Sequence, residues 1–183
     1  MASLIIHAVL GVATTSYVAW RNRRLFTGRW TGVRVSPLEA LYYLLAVVSV
    51  GLGWYFNIRY VQQFGDRASW IHFTKSLFSN WAADSAAQDY IIANVILLPL
   101  WTIVDGRRRG IRVPWGFFVM SLFTSFAFAM AAYLAVVERQ VRYSAAFPDT
   151  LEPVRDRVSG ERVPGDRGPG DRKSGDQAES STA

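Results

Sequence analysis

The sequence predicts an all-α, polytopic membrane protein: a four-helix transmembrane bundle with a short outer interfacial helix and a disordered C-terminal tail. Three observations support this fold class. Hydrophobic residues make up 51% of the 183 residues and concentrate in long runs. Such runs match the roughly 20 helical residues that cross a bilayer core about 30 Å thick. Arginines concentrate in the loops between runs, and the composition changes to glycine, proline and charge near the C-terminus.

The first two apolar runs predict transmembrane helices at about residues 4–20 and 37–57. A cleaved signal peptide is the alternative for the first, but its arginines follow the apolar run instead of preceding it, which favours a retained helix. The second begins with Ser36, Pro37 and Glu39, which suit the N-cap, the first turn and the capping box of a helix start. Glu39 is therefore expected to cap the helix at the membrane interface.

Two further runs predict transmembrane helices at about residues 86–104 and 115–137. Ser85 and Gln88 form a second capping box, which predicts that the third helix starts at Ser85 or Asp84. The fourth run contains no charged residue and is expected to form a single span.

The loop before the third run contains an amphipathic pattern at residues 69–82. Its large apolar side chains recur at helical spacing, with polar residues between them. This pattern is typical of a helix that lies in the membrane interface. A soluble cap packed on the bundle is the alternative.

The arginines predict the orientation of the bundle. Loops 21–36 and 105–113 contain nine arginines, whereas loop 58–85 contains three basic residues. Short loops rich in Lys and Arg stay in the cytoplasm. The two arginine loops are therefore expected to be cytoplasmic, with both termini on the opposite side of the membrane.

The C-terminal region, residues 144–183, predicts a disordered tail and leaves residues 1–143 as the transmembrane domain. A unit of glycine and charge repeats every five residues, at Gly160, Gly165, Gly170 and Gly175. A segment with so few apolar residues cannot bury enough surface to offset its conformational entropy.

Small residues recur every four positions in the fourth run, at Ala127, Ala131 and Ala135 and at Ser121 and Ser125. Such stripes allow close helix contacts, within a bundle or between chains. The expected partners are the lipid bilayer and a membrane-protein partner or a second copy, bound through helix 115–137. No nucleic-acid partner is expected, because membrane topology accounts for the basic loops.

Asp89 is the candidate catalytic residue, because aspartate is costly in lipid. A helix starting at Ser85 places it just over one turn inside, about 6 Å deep. Its carboxylate is then either stabilised by the helix dipole and reached by water, or buried as a proton donor. The candidate substrate-binding residues are Asn57, Asn80 and Asn94.

The sequence predicts no cofactor and no metal site. It contains no cysteine, and neither His7 nor His72 has a His or Cys companion at ligand spacing. A phosphate-binding glycine loop, an HExxH motif and a serine nucleophile elbow are also absent.

Short polar motifs mark a pattern over about residues 40–142. They are Asn80, Asp89, Asp105 before Arg107 and Arg108, and Glu138 followed by Arg139. The pattern resembles a family of small multi-pass membrane proteins catalogued as a domain of unknown function, except that Asp105 stands where the family has Glu. The resemblance implies a helical membrane core and favours a functional role for Asp89, and it carries no activity with it.

Three function classes remain open. The small size and the missing catalytic motifs favour a non-catalytic accessory or interaction component. The alternative is a membrane-embedded, acid-dependent isomerase or cyclase that acts on an isoprenoid- or sterol-like substrate, with Asp89 as the acid. The third class is a small proton- or solute-coupled carrier.

Overall fold

The structure, a computed structural model, describes residues 2–27 and 35–147. Within these residues the chain is helical and contains no β-strand. The helices are α1 (Ala2–Arg21), α2 (Pro37–Phe64), α3 (Trp70–Ser76), α4 (Trp81–Ile91), α5 (Leu98–Arg108), α6 (Gly116–Phe123) and α7 (Phe126–Ala146). Residues 148–183, most of the predicted tail, lie outside the described residues.

Helices α2 and α7 pack antiparallel. At one end, the Ser36 hydroxyl donates a hydrogen bond to Glu138 at 3.0 Å. Further along α2, the hydroxyls of Ser49 and Ser125 lie 2.7 Å apart. The start of α2 and the last third of α7 therefore lie at the same end of the bundle.

The predicted single helix over residues 115–137 is wrong, because the chain breaks it at Thr124 and Ser125. Ser125 has an extended backbone, with φ −161° and ψ 159°, and its side chain caps α7. The rings of Phe117 and Tyr133 are 5.1 Å apart. A continuous helix would separate these positions by about 24 Å. Helices α6 and α7 thus form an antiparallel hairpin whose tip is at Thr124 and Ser125.

Helix α1 packs antiparallel against α6. Gly11 lies so close to the hairpin tip that a Cβ atom would be 2.9 Å from the carbonyl oxygen of Phe123. A Cβ atom on Gly116, at the start of α6, would be 2.8 Å from Val18. These contacts pack α1 into the bundle, and its retention in the mature protein stays a prediction.

The predicted third helix starts earlier than the sequence suggested. The Asn80 side chain accepts hydrogen bonds from the backbone of Ala82 and Ala83 at 3.1 and 3.0 Å, so the helix begins at Trp81 and not at Ser85 or Asp84. Asn80 is a strong N-cap residue, which accounts for the earlier start.

A π-helical turn, Ile92–Leu97, joins α4 to α5 immediately before Pro99. Proline has no backbone N–H and collides with the carbonyl four residues earlier in a regular helix. The wider turn accommodates it while the helix continues.

The predicted amphipathic helix over residues 69–82 is shorter in the structure. Helix α3 starts after its N-cap Ser69 and ends at Ser76, and Trp81 belongs to α4. The Nδ1 atom of His72 lies 2.6 Å from the hydroxyl of Tyr60, so α3 packs on the last part of α2.

Polar contacts define one end of the bundle, called here the arginine end. The Arg24 guanidinium donates to the carbonyl of Gly110 at 2.6 Å and lies 3.5 Å from the Gln140 side-chain oxygen. Asn22 is fully buried and exchanges hydrogen bonds of 2.9 and 3.0 Å with the backbone of Arg112. These contacts bring together the ends of α1 and α5 and the last part of α7.

The expectation that both termini lie opposite the arginine loops is wrong for the last helix. Helix α7 returns to the arginine end, because the hairpin reverses the chain halfway. Helix α1 does begin at the other end, where the ring of His7 stacks on Trp70 of α3 at 6.0 Å.

The apolar core lies mainly between α1, α5, α6 and α7, on the arginine side of the hairpin tip. The largest fully buried apolar side chains are those of Tyr133, Phe117, Leu25, Leu98 and Met120. Beyond the tip, towards α3, the described helices have few buried side chains.

Two helical stretches of the described chain are long and apolar enough to cross a membrane. They are Pro37–Arg67, with 31 residues, and Trp81–Arg108, with 28 residues. Only 6% and 22% of their most apolar segments are buried within the chain. Exposed apolar surface on this scale requires lipid or another protein to cover it.

We predict that Gly11→Ala weakens the contact between α1 and the hairpin. The new Cβ would lie 2.9 Å from a backbone oxygen, which cannot rotate away as a side chain can. A loss of about 1–3 kcal/mol is expected, measured as a lower unfolding temperature in detergent. Gly51→Ala is the control, because nothing lies within 4 Å of its Cβ position. Equal unfolding temperatures for the two variants would contradict the close contact.

Candidate functional site

The carboxylate of Asp89, the candidate acid, is exposed on α4. Its Oδ1 atom accepts one hydrogen bond, from the Gln88 side chain at 3.1 Å. Because the helix begins at Trp81, Asp89 lies about 12 Å from the start of the helix. A start at Ser85 would have placed it about 6 Å from that start. Of the two interpretations, the structure favours a carboxylate outside the bundle interior. Its role as an acid stays a prediction.

The three candidate substrate-binding asparagines have different surroundings. Asn80 is exposed and caps α4. Asn94 is buried, where its amide nitrogen donates to the Tyr90 hydroxyl at 3.2 Å and its oxygen accepts from the Ser121 hydroxyl at 2.7 Å. Of the three, only Asn57 borders one of the two cavities described below.

A small cavity lies at the hairpin tip. Its polar lining comes from His7, Ser49, Asn57 and Thr124, and its volume is about 50 Å³. A buried water needs roughly 10–15 Å³ of such space, so the cavity has room for about three or four waters. Drug-sized ligands occupy pockets of roughly 300–1,000 Å³. The cavity is therefore too small for an isoprenoid or a sterol.

The most strongly connected polar group is Glu39, whose carboxylate is fully buried. It accepts hydrogen bonds from the Arg139 side chain at 2.6 Å, from the Tyr43 hydroxyl at 2.9 Å and from the Arg142 side chain at 3.2 Å. The prediction that Ser36 caps this helix is confirmed, since its hydroxyl accepts from the Glu39 backbone at 3.1 Å. The Glu39 carboxylate itself pairs with the arginines of α7.

Arg139 joins this ion pair to the turn that follows α1. Its guanidinium donates to the carbonyl of Leu25 at 3.2 Å and lies 4.8 Å from the ring centre of Phe26. The side chain is therefore held on one side by a carboxylate and on the other by an aromatic face. Sequence reasoning missed this cluster, because a single fourth span would place Arg139 at the opposite end from Glu39.

Asp105 forms a second polar link between helices. Its carboxylate accepts from the Tyr133 hydroxyl at 2.7 Å and from Arg109 at 2.8 Å. This arrangement connects the end of α5 to the middle of α7. Asp105 is thus engaged in structural contacts, as Glu39 is.

Arg24 has a buried side-chain nitrogen, Nε, without a described hydrogen-bond partner. Burial, together with the charge of Arg112, lowers the pKa of Arg24.

Within the described residues, no group of three or more His, Asp or Glu side chains is placed to hold a metal ion.

We predict that Glu39→Gln strongly destabilises the protein, because it leaves buried Arg139 without its counter-charge. Removing one partner of a buried ion pair costs about 3–5 kcal/mol. The matched control is Glu138→Gln, which alters a partly exposed carboxylate bound to one hydroxyl and should cost about 1 kcal/mol.

A titration with denaturing detergent measures the free energy of unfolding of both variants. The double variant Glu39→Gln/Arg139→Met should recover part of the loss, since it removes both charges of the pair. Similar losses in the two single variants would show that the buried pair does not hold the bundle.

Comparison with known proteins identifies a family for most of this helical part. A family model described as protein of unknown function DUF2834 matches residues 41–139, more than half of the chain. Comparisons with curated proteins and with solved structures give no match. The matched range contains Asp89, Asp105 and the hairpin, and it leaves α1 outside. The resemblance to a family catalogued as a domain of unknown function is confirmed over residues 41–139, and the chain belongs to the DUF2834 family of proteins of unknown function.

Proposed function

We propose that the protein is a small multi-pass membrane protein that acts without catalysing a reaction, as a component that binds another membrane protein. In this proposal α1, α2 and the continuous helix α4–α5 cross the membrane. With 20 and 28 residues, α1 and α2 extend about 30 and 42 Å. The eight residues of α6 extend about 12 Å, so the hairpin enters from one side and turns back near the middle of the bilayer.

The arginine end faces the cytoplasm in this proposal. The loops at that end hold nine arginines, and short basic loops stay cytoplasmic. Because α7 returns to the same end, the C-terminal end of the helical part is proposed to be cytoplasmic as well. The start of α1 then lies on the other side of the membrane.

A polar stripe on α4 is the observation that carries the partner proposal. The stripe consists of Ser85, Gln88 and Asp89, which are all exposed and lie at the i, i+3 and i+4 positions of one helix face. The helix that contains them has 28 residues, about 12 Å more than a bilayer core needs. If the excess is shared between its two ends, Asp89 lies about 6 Å inside the apolar layer.

An exposed carboxylate at that depth is costly unless another group compensates it. The described chain supplies one hydrogen bond to Asp89, from its neighbour Gln88. We infer that a helix of a partner membrane protein supplies a Lys, Arg or amide donor to this stripe. Hydrogen bonds of this kind stabilise helix pairs in membranes.

The other two function classes have less support. An acid catalyst for an isoprenoid or sterol needs a cavity beside the acid, and Asp89 borders neither of the two cavities. The other acids are no better candidates for proton transfer, because the buried Glu39 and the half-buried Asp105 are each paired with arginine.

The small-residue stripe of α7 has Ala131 and Ala135 buried within the chain, so partner binding through α4 is preferred to binding through residues 115–137.

Photo-crosslinking from the stripe tests this proposal. A photoreactive residue replaces Ser85 in the full chain, expressed in its native membrane. We expect a crosslink to a membrane helix of another protein that carries a basic or amide side chain near the crosslinked position. Asp89→Lys should reduce the crosslink at least tenfold, because an ammonium repels a basic partner and cannot accept a hydrogen bond from an amide. Asp66→Lys, on an exposed turn outside the stripe, should leave it unchanged.

A charge exchange distinguishes a specific contact from general damage. Replacing the partner's basic residue with Glu should restore the crosslink to the Asp89→Lys variant. The proposal is wrong if the stripe crosslinks to lipid alone, or if Asp89→Lys has no effect. Loss of a cellular phenotype in Asp89→Asn, with an unchanged crosslink, would favour the acid-catalyst class instead.

A further inference from the structure

An apolar groove between α1 and α6 is separate from the polar stripe on α4. It has a volume of about 240 Å³. The groove has room because Ala13 and Gly116 contribute little or no side chain, while Thr14, Val18 and Val119 form the rest of the surface. The groove is open on one side and not an enclosed cavity, so it can accept a flexible chain.

Aromatic side chains surround the arginine end of the groove. Tyr17 and Trp115 line it, and their ring centres are 6.4 Å apart. Trp20 follows one turn further along α1, 6.3 Å from Tyr17. All three rings are exposed. Tyr and Trp rings collect at the level of lipid headgroups, so this end of the groove marks the membrane interface.

Two arginines lie directly beyond these rings. The guanidinium groups of Arg21 and Arg23 are 5.8 and 5.9 Å from the ring centre of Trp20. Both side chains are exposed, and neither forms an ion pair with a described carboxylate. Positive charge at this position is therefore available to a ligand.

We propose that the groove and the two arginines bind one anionic phospholipid. An acyl chain lies in the groove beside Val18 and Val119, the glycerol region lies between Tyr17 and Trp115, and the phosphate contacts Arg21 and Arg23. Charge complementarity selects an anionic headgroup, since a zwitterionic headgroup carries a cation that the arginines repel. The proposed leaflet is also consistent with an anionic lipid. Anionic lipids are concentrated on the cytoplasmic side, where the proposed function places the arginine end.

A lipid fits these features better than a free phosphate or a protein helix. Inorganic phosphate would use the arginines and leave the groove empty. A helix about 10 Å across is too wide to enter a groove of this volume. This inference rests on the membrane placement of the proposed function, and it does not depend on the partner at Asp89.

Thermal unfolding of the purified full chain in detergent tests the site, with phosphatidylglycerol, phosphatidylcholine or inorganic phosphate added. Phosphatidylglycerol at about a hundredfold excess over its Kd should raise the unfolding temperature by about 5–10 °C. Phosphatidylcholine and phosphate should have little effect. Native mass spectrometry should show one retained phosphatidylglycerol per chain.

Three variants locate the effect. Arg21→Gln/Arg23→Gln removes the phosphate contacts, and Ala13→Phe fills the groove, so each should abolish the stabilisation by phosphatidylglycerol. Arg59→Gln/Arg67→Gln, which neutralises two exposed arginines at the other end of the bundle, should keep it. The Arg21/Arg23 variant alters exposed side chains only, so it keeps the test valid if Ala13→Phe fails to fold.

The proposal is overturned by equal stabilisation with phosphatidylcholine or by stabilisation with phosphate alone. It is also overturned if the Arg21/Arg23 variant responds to phosphatidylglycerol as the unaltered protein does. Asp89→Lys should respond normally to phosphatidylglycerol, so a failure of the partner proposal and a failure of the lipid proposal are distinguishable.

Discussion

The buried ion pair of Glu39 and Arg139 constrains the path of the described helices. A carboxylate with no exposed surface needs a counter-charge, and the distance of 2.6 Å shows that α7 supplies it. Helix α7 must therefore end where α2 begins. That condition can be met only if the chain reverses between α6 and α7, because a continuous helix would carry Arg139 to the opposite end. The internal packing of the alanine stripe and the exposure of α4 both follow from this reversal.

The hairpin also divides the bundle into two unequal layers. Its side chains, such as Phe117 and Tyr133, fill the space between α1 and α5 on the arginine side of Ser125. Beyond Ser125 no hairpin remains to fill the corresponding space. The last half of α2 and all of α4 therefore have few neighbours, and their side chains are mainly exposed. The well-packed part of the described chain and the part with exposed side chains are thus at different depths along the same helices.

Much of the helix pattern could be predicted from the sequence. Ser36 and Pro37 marked the start of α2, and the arginine clusters correctly placed two loops at one end. The break at Thr124 and Ser125 could not be predicted from hydropathy, because both residues lie within an uncharged apolar run. The sequence signal for the break was the pair of adjacent hydroxyl residues, which can end one helix and cap the next. Because the hairpin could not be predicted, the ion pairs between Glu39 and the arginines of α7 could not be predicted either. Asn80 is the N-cap of α4, a local role that its residue type favours, and its role in substrate binding stays a prediction.

The half-depth hairpin has a consequence for the shape of the protein in a bilayer. In the proposed placement, one leaflet contains five described helices, α1, α2, α5, α6 and α7, whereas the other contains α1, α2 and α4. Each helix has a diameter of about 10 Å, so the cross-sectional area differs between leaflets by a ratio of roughly five to three. In that placement the molecule would be a wedge with its broad end in the cytoplasmic leaflet. If the proposed placement holds, such a wedge fits best where the cytoplasmic leaflet is stretched, that is, in curved regions of the membrane.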